Sequence, residues 1–153
     1  MPRIGVISDT HGLLRPQALE ALRGSDHILH AGDIGDPKIL VELGKIADVT
    51  AIQGNVDDET SAPGIPEIQL VELFGYSIYM LHDLKKLDLR PDVAGIAVVI
   101  SGHSHKPAIE WKNGVLYFNP GSAGPRRFSL PITVGQLTVE SKNIEPTIIP
   151  LSI

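Results

Sequence analysis

The chain has 153 residues, a length that suits one ordinary domain. None of them is cysteine, which excludes disulfides, all-cysteine zinc sites, iron–sulfur clusters and a cysteine nucleophile. Acidic residues outnumber basic ones by 18 to 13, and the resulting net charge of −5 argues against a stable complex with nucleic acid. We therefore expect a single domain over residues 1–153.

The apolar stretches are short. The longest, Val93 to Ile100, falls far below the length that crosses a bilayer. The N-terminal segment MPRIGVISDTHG lacks the apolar core and the small-residue cleavage site of a signal peptide. These features predict no membrane partner and a cytoplasmic location.

The first third of the chain alternates strand and helix patterns. Three brief, continuously apolar runs, typical of buried parallel strands, are Arg3–Ser8, His27–Ala31 and Val49–Gln53. Between them, a helix is predicted over Pro16–Leu22 and another over Pro37–Leu43, with Asp36 as its cap and Gly44 as its stop. This order predicts parallel strands joined by helical crossovers.

The rest of the chain is dominated by strand patterns. Strands are predicted at Ile68–Phe74, Ser77–Leu81, Ile96–Ser101, Ile109–Lys112, Val115–Phe118, Pro131–Val139 and Ile144–Leu151. Asn113-Gly114 is a strong hairpin signal, and the last two strands are expected to form an antiparallel pair. The polar stretch from Leu84 to Asp92 suits either a short helix or a loop. The predicted class is α/β, with two mixed sheets flanked by helices.

Polar residues that could bind a metal follow five of the predicted strands. They are Asp9, His11, Asp33, Asn55, His82, His103 and His105. Because ligands bind at the carboxyl ends of strands in α/β sheets, these side chains are expected to converge on one crevice. Taken alone, Asp33 could be a helix cap and His82 an ordinary hydrogen-bonded histidine. Together, with His103 and His105 spaced to share one face of a strand, they indicate a metal site.

Seven ligands are too many for one transition metal and suit two. Asp33, in the middle of the set, is the natural carboxylate to bridge both ions. A mixed set of imidazole and oxygen ligands favours Mn, Fe, Zn, Ni or Co over Mg or Ca, and Mn is the ion expected first. Two ions about 3.5–4 Å apart lower the pKa of a shared water and clamp a phosphoryl oxygen. The predicted chemistry is hydrolysis of a phosphate ester by a bridging hydroxide.

These motifs resemble those of the calcineurin-like metallophosphoesterases. The matching segments are Asp9-x-His11, Gly32-Asp33, Gly54-Asn55, His82 and Gly102-His103-x-His105. The opening SDTHG, the HAGD at the end of the second predicted strand and the later NPGS are similar to segments of the small bacterial and archaeal phosphodiesterase branch. The resemblance implies a four-layer αββα sandwich with two mixed β-sheets between helices.

The resemblance also implies a division of the ligands. One ion would take Asp9, His11, Asp33 and His105, and the other would take Asp33, Asn55, His82 and His103. Asn55 would lie close enough to contact the phosphate, so Asp33, Asn55 and His103 are the expected catalytic residues, supporting hydroxide and phosphate. A homo-oligomer is expected by the same analogy.

Two positions depart from the family's pattern. Many relatives carry a histidine, similar to a general acid, where this chain has Val56, which predicts a modest rate or a preference for good leaving groups. Asp83 stands where relatives usually have glycine, and it suits either a hydrogen bond to a ligand imidazole or a solvated loop start.

Arg126, in the family's NPGS…PR segment, could meet a phosphate but better suits a structural turn. His30 is expected in the core or behind the ligands, and Asp57 is expected to hold its own loop.

The leading hypothesis is a metal-dependent phosphoesterase that acts on small phosphate esters, diesters before monoesters. The rival is a binding scaffold, because the same fold occurs in a retromer subunit that works mainly as an interaction platform. That scaffold has lost a histidine from its site, whereas every ligand position here is filled. A metallohydrolase of another class is a third reading, although the metallo-β-lactamase HxHxDH run is absent.

Overall fold

Two five-stranded sheets form the frame of the protein, which a computed structural model describes over residues 1–153. The strands in chain order are β1 (Arg3–Ile7), β2 (His27–His30), β3 (Val49–Ala51), β4 (Ile68–Leu73), β5 (Tyr76–Leu81), β6 (Val98–Ile100), β7 (Ala108–Lys112), β8 (Val115–Asn119), β9 (Thr133–Val139) and β10 (Ile144–Pro150). The first sheet has the order β10-β9-β1-β2-β3 and the second β4-β5-β6-β8-β7. Both are mixed, which confirms the predicted class.

Parallel strands occupy the centre of each sheet. β1, β2 and β3 are parallel, while β9 runs antiparallel to β1 and β10 antiparallel to β9. In the second sheet β5, β6 and β8 are parallel, and β4 and β7 are antiparallel edges. The predicted antiparallel pairing of the last two strands is therefore confirmed.

Two short helices cover the outer face of the first sheet. Helix α1 (Pro16–Leu22) begins at a proline, whose missing N–H costs nothing in a first turn, and it has the predicted bounds. Helix α2 (Lys38–Gly44) begins and ends one residue later than predicted, and the Asp36 carboxylate accepts the Lys38 N–H over 2.9 Å. Each buries residues spaced by four on one face. No helix of the protein has the length and apolar character needed to span a membrane.

The core between the two sheets explains why the first strands are apolar throughout. Ile4 and Val6 of β1 face the second sheet, while Ile7 packs on the other side beneath the helices. In β2, Leu29 and Ile28 divide in the same way. Strands buried on both faces read as continuous apolar runs.

The outer face of the second sheet is covered by a loop segment over residues 84–96 in place of a helix layer. It contains one 3₁₀ turn, Leu84–Lys86, and packs on apolar residues including Tyr79, Leu81 and Val99. The α-helices of the four-layer arrangement thus stand on one side only. The stretch that suited either a helix or a loop is mostly loop.

The hairpin turns fix the register of the second sheet. Asn113-Gly114 joins β7 and β8 as predicted, with positive φ angles of 51° and 77° that suit a two-residue turn. The predicted strands Ile68–Phe74 and Ser77–Leu81 leave Gly75 and Tyr76 for the turn between them, which is wrong by one residue, because Tyr76 pairs with Leu73 inside the ladder. The turn is instead Phe74-Gly75, with φ angles of 51° and 87°.

Candidate metal centre

The loops after the parallel strands of both sheets meet at one edge of the sandwich. The Nδ1 of His82, just after β5, lies 2.7 Å from the carbonyl oxygen of Ala31, just after β2, and so joins the two sheets. The backbone N–H of Gly102, after β6, donates to the carbonyl of His82. This junction places the five predicted ligand loops side by side.

Asp9 lies at the centre of the cluster. Its Oδ1 lies 3.3 Å from Nε2 of His105, 3.6 Å from Nε2 of His82 and 3.7 Å from Nε2 of His11. The carboxylate is fully buried, and its other oxygen accepts the hydroxyl of Ser8 over 2.7 Å. Three imidazoles therefore converge on one carboxylate oxygen that water does not reach.

Asp33 is the second shared carboxylate. Its Oδ2 lies 3.0 Å from Nε2 of His82 and 3.5 Å from Nε2 of His11. Asp33 was expected to lie between the two ion sites, and Asp9 has the same kind of position. Each carboxylate lies near histidines of both implied ligand sets. Two triads have ligand atoms all within 4.8 Å of one another: Asp9 with His11 and His105, and Asp9 with Asp33 and His82.

Asn55 and His103 form the exposed rim of the cluster. The Nδ1 of His103 lies 3.3 Å from Oδ1 of Asn55, and its ring centre lies 5.3 Å from that of His82. The His103 backbone N–H donates to Oδ2 of Asp9 over 3.1 Å. All seven predicted ligands are therefore brought together, five at the centre and two at the rim.

The backbone around the cluster is strained at the ligands themselves. Asp9, His11, Asp33, His103 and His105 all have positive φ angles, between 47° and 69°. The left-handed region is uncommon for residues other than glycine, and such strain concentrates at functional sites. The interpretation that His103 and His105 share a face of a strand is wrong, because both lie in a left-handed loop beyond β6.

Two glycines allow this crowding. A Cβ at Gly54 would collide with the Asp33 backbone and carboxylate, and one at Gly102 would collide with Ser8 and the Asp9 carboxylate. Both glycines precede a rim residue in the chain, so their small size lets the rim loops approach the carboxylates.

Three supporting residues were missed by the sequence interpretation. Ser8 binds the Asp9 carboxylate, Ser122 donates to the Asp9 carbonyl over 3.1 Å, and Asn119 donates to the Gly102 carbonyl over 2.9 Å. The last two belong to the NPGS segment, which was used as a motif of the family resemblance without any role for these two side chains. That motif thus supports the loops that carry Asp9 and His103.

Asp57 holds the loop that carries Asn55. Its carboxylate accepts the backbone N–H groups of Ile34, Gly35 and Gly54 over 2.9–3.1 Å, and the hydroxyl of Ser61. The first two follow Asp33 directly. Asp57 therefore joins two ligand loops, a wider role than the predicted one of holding its own loop.

Other residues singled out in the sequence take supporting positions. His30 is fully buried, with Nε2 3.0 Å from the Thr10 hydroxyl and Nδ1 accepting the Gly32 N–H. Arg126 donates to the Leu130 carbonyl, in line with a structural turn. Asp83 accepts the Lys85 N–H at the start of the 3₁₀ turn, so the loop-start interpretation describes its contact.

The electrostatics couple the carboxylates to the imidazoles. Burial opposes ionisation of Asp33, but the His82 imidazole and the Val56 N–H outweigh it and bring its pKa down to about 2. Burial likewise opposes the charged form of His82, yet Asp33, the Ala31 carbonyl and Asp9 raise its pKa. The nearby Asp9 carboxylate is the main cause that raises the pKa of His11. The imidazole of His82 thus favours the ionised form of Asp33, and the nearby carboxylates favour the protonated forms of His11 and His82.

The donor atoms fit metal ions. Four ligand atoms at the centre are buried and make no well-aligned hydrogen bond, although His82 Nε2 lies 3.0 Å from Asp33 Oδ2: Asp9 Oδ1, His11 Nε2, His82 Nε2 and His105 Nε2. Buried polar atoms are normally paired, so such a group at one point needs an explanation. Divalent cations supply it, because imidazole nitrogen and carboxylate oxygen suit transition metals.

Comparison with known sequences defines the class. The family model of the calcineurin-like phosphoesterase superfamily domain matches residues 2–142. A probable metallophosphoesterase of Methanocaldococcus jannaschii is 36% identical, over 97% of this chain and 81% of its own length. Another from Methanothermobacter thermautotrophicus is 35% identical, over 95% and 91%. A phosphodiesterase of M. jannaschii is 27% identical, over 92% and 95%. The chain belongs to the calcineurin-like phosphoesterase superfamily, a family of hydrolases.

Solved structures show the same fold. A predicted phosphoesterase from Streptococcus pneumoniae has a TM-score of 0.75 at 22% identity, covering 97% of this chain and 89% of that one. An archaeal phosphodiesterase has a TM-score of 0.72 at 24% identity, with 96% and 99% covered. Vps29 from Entamoeba histolytica, complexed with Zn²⁺, has a TM-score of 0.74 at 19% identity, with 97% and 98% covered.

Proposed function

We propose that this protein is a phosphodiesterase that uses two divalent metal ions, with Mn the first candidate and Fe, Zn, Ni or Co as alternatives. The observation that carries the proposal is the set of four buried ligand atoms around Asp9 that make no well-aligned hydrogen bond. The chain's membership of the calcineurin-like phosphoesterase superfamily supplies the reaction class, hydrolysis of phosphate esters. Activity in the cytoplasm belongs to the same proposal.

The ligands divide between the two ions as the family resemblance implies. One ion takes Asp9, His11, Asp33 and His105, and the other takes Asp33, Asn55, His82 and His103. When bound, such ions activate a water molecule and stabilise the charge that develops on the phosphoryl oxygens.

The protein's own residues hold and orient this chemistry. Asp33 remains ionised among the imidazoles, and the Val56 N–H fixes its Oδ1. Asn55 and His103 stand at the exposed rim, where an incoming phosphate first meets the site. The amide of Asn55 can donate to a phosphate oxygen and hold it in place.

Two clefts meet at His103, which favours a diester over a monoester. One, of about 200 Å³, is lined by Asn55, His82, His103 and Lys86 among others. The other, of about 710 Å³, includes His103, Ser104, Lys106, Tyr117 and Arg127. A phosphodiester carries two substituents, so each cleft can accept one of them. In the larger cleft Lys85, Lys106 and Arg127 outnumber the carboxylates Asp83 and Glu110, which favours an anionic substrate there.

The alternative is a protein-interaction scaffold of the same fold, for which the structural similarity to Vps29 is the supporting observation. A scaffold needs no complete set of ligands in its interior. Here all seven positions hold metal-ligating side chains, at the cost of strained backbone at five of them. Because a scaffold has no use for backbone strain at these positions, the strain favours the enzyme.

The decisive experiment is metal reconstitution followed by hydrolysis of bis(p-nitrophenyl) phosphate and p-nitrophenyl phosphate. We expect turnover only with metal, and a higher kcat/KM for the diester. Asp33→Asn and His103→Ala should each lose most of the activity. The matched controls are Asp88→Asn and His27→Ala. Asp88 lies on the exposed loop over the second sheet. His27 begins β2, at the end of the strand away from the cluster, and its ring contacts Thr50.

Metal-dependent activity separates the two functions, because a scaffold of this fold could be metal-binding or metal-free. The enzyme proposal requires metal to bind and activity to depend on it. If the Mn-loaded protein, Asp33→Asn and His103→Ala were equally inert towards both esters, the scaffold would replace the enzyme as the explanation.

A further inference from the structure

Strand β7 leaves one side of its backbone without partners. It is the last strand of the second sheet and pairs only with β8. In β8, the Leu116 N–H and the Phe118 carbonyl bond towards β6 and its flanking residues. Their partners in β7 are Trp111 and Ile109, which therefore point their own N–H and C=O groups away from β8. No backbone hydrogen bond outside the ladder uses those groups.

The side chains of the same two residues are apolar and exposed. Ile109 is 44% exposed and Trp111 is 53% exposed. They share a face with Phe118 and Leu116, which belong to the core between the sheets. The core therefore continues to the edge of the sandwich and ends there uncovered.

The other sheet edges do not combine an unpaired strand with an uncovered end of the core. β10 contains Pro146 and Pro150, which lack N–H donors, and β3 has only three residues. The edge at β4 also exposes apolar side chains, Ile68 and Leu70, but they share a face with Leu81 and Tyr79 on the outer side of the second sheet, away from the core between the sheets. β7 has five residues, contains no proline and carries exposed apolar side chains. It is the edge at which a second strand would also cover the core between the sheets.

We propose that β7 pairs antiparallel with β7 of a second copy of this chain, with Trp111 opposite Trp111 of the partner subunit. This dimer joins the two second sheets into one sheet of ten strands. The two tryptophans and two isoleucines then meet between the subunits and cover the open end of each core. The proposal concerns assembly and does not depend on the proposed reaction.

Charge selects this register over its neighbours. With Trp111 on the two-fold axis, Glu110 faces Lys112 of the partner subunit, and the reverse pair forms on the other side of the axis. A shift that puts Glu110 on the axis places two like charges opposite each other, which is destabilising. A shift to Ile109 places Trp111 opposite the partner's Pro107, which has no N–H to donate. Of these three registers, only the one centred on Trp111 pairs opposite charges while keeping the outward hydrogen bonds of Trp111.

The experiment measures mass in solution across a concentration series, using the full chain and sedimentation equilibrium. We expect a monomer–dimer equilibrium for the wild type. Glu110→Lys and Lys112→Glu should each raise the dimer dissociation constant by at least about tenfold, because two attractive cross-strand pairs become repulsive. Glu145→Lys, a charge reversal on β10 at the other sheet edge, is the matched control and should leave dimerisation unchanged.

Mixing the two weakened variants tests the register itself. In a heterodimer of Glu110→Lys with Lys112→Glu, both cross-strand pairs again have opposite charges, so the mixture should regain dimer. The Glu110–Lys112 contact within one strand, 3.6 Å long, cannot be restored by mixing. A wild type that stays monomeric at every concentration, or a mixture no more dimeric than its components, would overturn the proposal. Circular dichroism of each variant verifies that the fold is kept.

Discussion

The backbone N–H of Val56 donates to Oδ1 of Asp33 over 3.0 Å, while the side chain of Val56 is 51% exposed. The main chain at this position therefore holds a buried carboxylate of the metal centre, and the side chain does not. A substitution that keeps the backbone conformation should leave Asp33 in place. The position is thus free to differ among relatives without loss of the site.

The first prediction concerns proton transfer to the leaving group. Val56→His restores the residue that many members of the family carry, and general acid catalysis contributes about 10²–10⁴-fold where it is well positioned. We expect the variant to hydrolyse esters with poor leaving groups at least about tenfold faster, with little change for good ones. Turnover measured across phenyl esters of varied leaving-group pKa gives the dependence directly.

The control for this prediction is Val56→Ala, which changes the side chain without adding an acid. It should keep the steep leaving-group dependence expected of the wild type. A flat dependence already present in the wild type would show that another group protonates the leaving oxygen.

The second prediction concerns Asp57 and the loops that it joins. Asp57→Ala removes the acceptor of three backbone N–H groups, and we expect it to lower the free energy of unfolding by about 2–4 kcal/mol. The Asn55 loop should also lose its position, so metal affinity should fall as well. Urea denaturation and metal titration measure the two effects.

Asp58→Ala is the matched control for Asp57→Ala. The Asp58 carboxylate caps only its own exposed turn, through the N–H groups of Thr60 and Ser61. It should cost much less stability and leave metal binding unchanged. Equal losses in both variants would mean that Asp57 is an ordinary turn residue.

The predictable part of the fold follows from local chemistry. Pro16 at the start of α1 and Asp36 before α2 mark the helix starts, and Asn113-Gly114 forms the predicted hairpin. The convergence of the strand-end residues follows from the direction of parallel strands. These features depend on nearby residues or on general topology, so one sequence is enough to predict them.

The remaining part depends on contacts between distant segments. Nothing next to Asp9 in the sequence shows that Ser122 supports its carbonyl, because 113 positions separate them. The spacing of His103 and His105 resembled a strand, yet both residues have positive φ angles in a loop whose His103 N–H donates to the distant Asp9 carboxylate. The turn at Phe74-Gly75 was misplaced because Phe74 adopts a positive φ that its type does not favour.

The third prediction concerns the pH dependence of stability. Burial lowers the pKa of His30 from 6.5 to about 4, so the native protein keeps this ring neutral where the unfolded chain binds a proton. The contribution of the neutral ring to the free energy of unfolding is complete above pH 6.5 and is lost as the pH falls towards 4. The loss amounts to about 3 kcal/mol in total. Unfolding free energy of the metal-free protein should therefore fall across that window.

His30→Gln isolates the effect, because glutamine keeps polar atoms but does not titrate. The variant should show a smaller fall in unfolding free energy between 6.5 and 4 than the wild type. Asp33 acts in a lower window, since its pKa is lowered from 3.8 to about 2. Parallel pH profiles of the two proteins would rule out a buried neutral His30.

The last prediction concerns competition between protons and metal. Nearby carboxylates raise the pKa values of His11 and His82, so both rings stay protonated to a higher pH than a free imidazole. Metal ions bind only the deprotonated rings and stabilise only the folded state. The rise in melting temperature on adding Mn²⁺ to chelator-treated protein should thus be much larger at about pH 8 than at about pH 6. His27→Ala should keep this difference and Asp33→Asn should abolish most of it. A stabilisation that is equal at both pH values would mean that these imidazoles are not ligands.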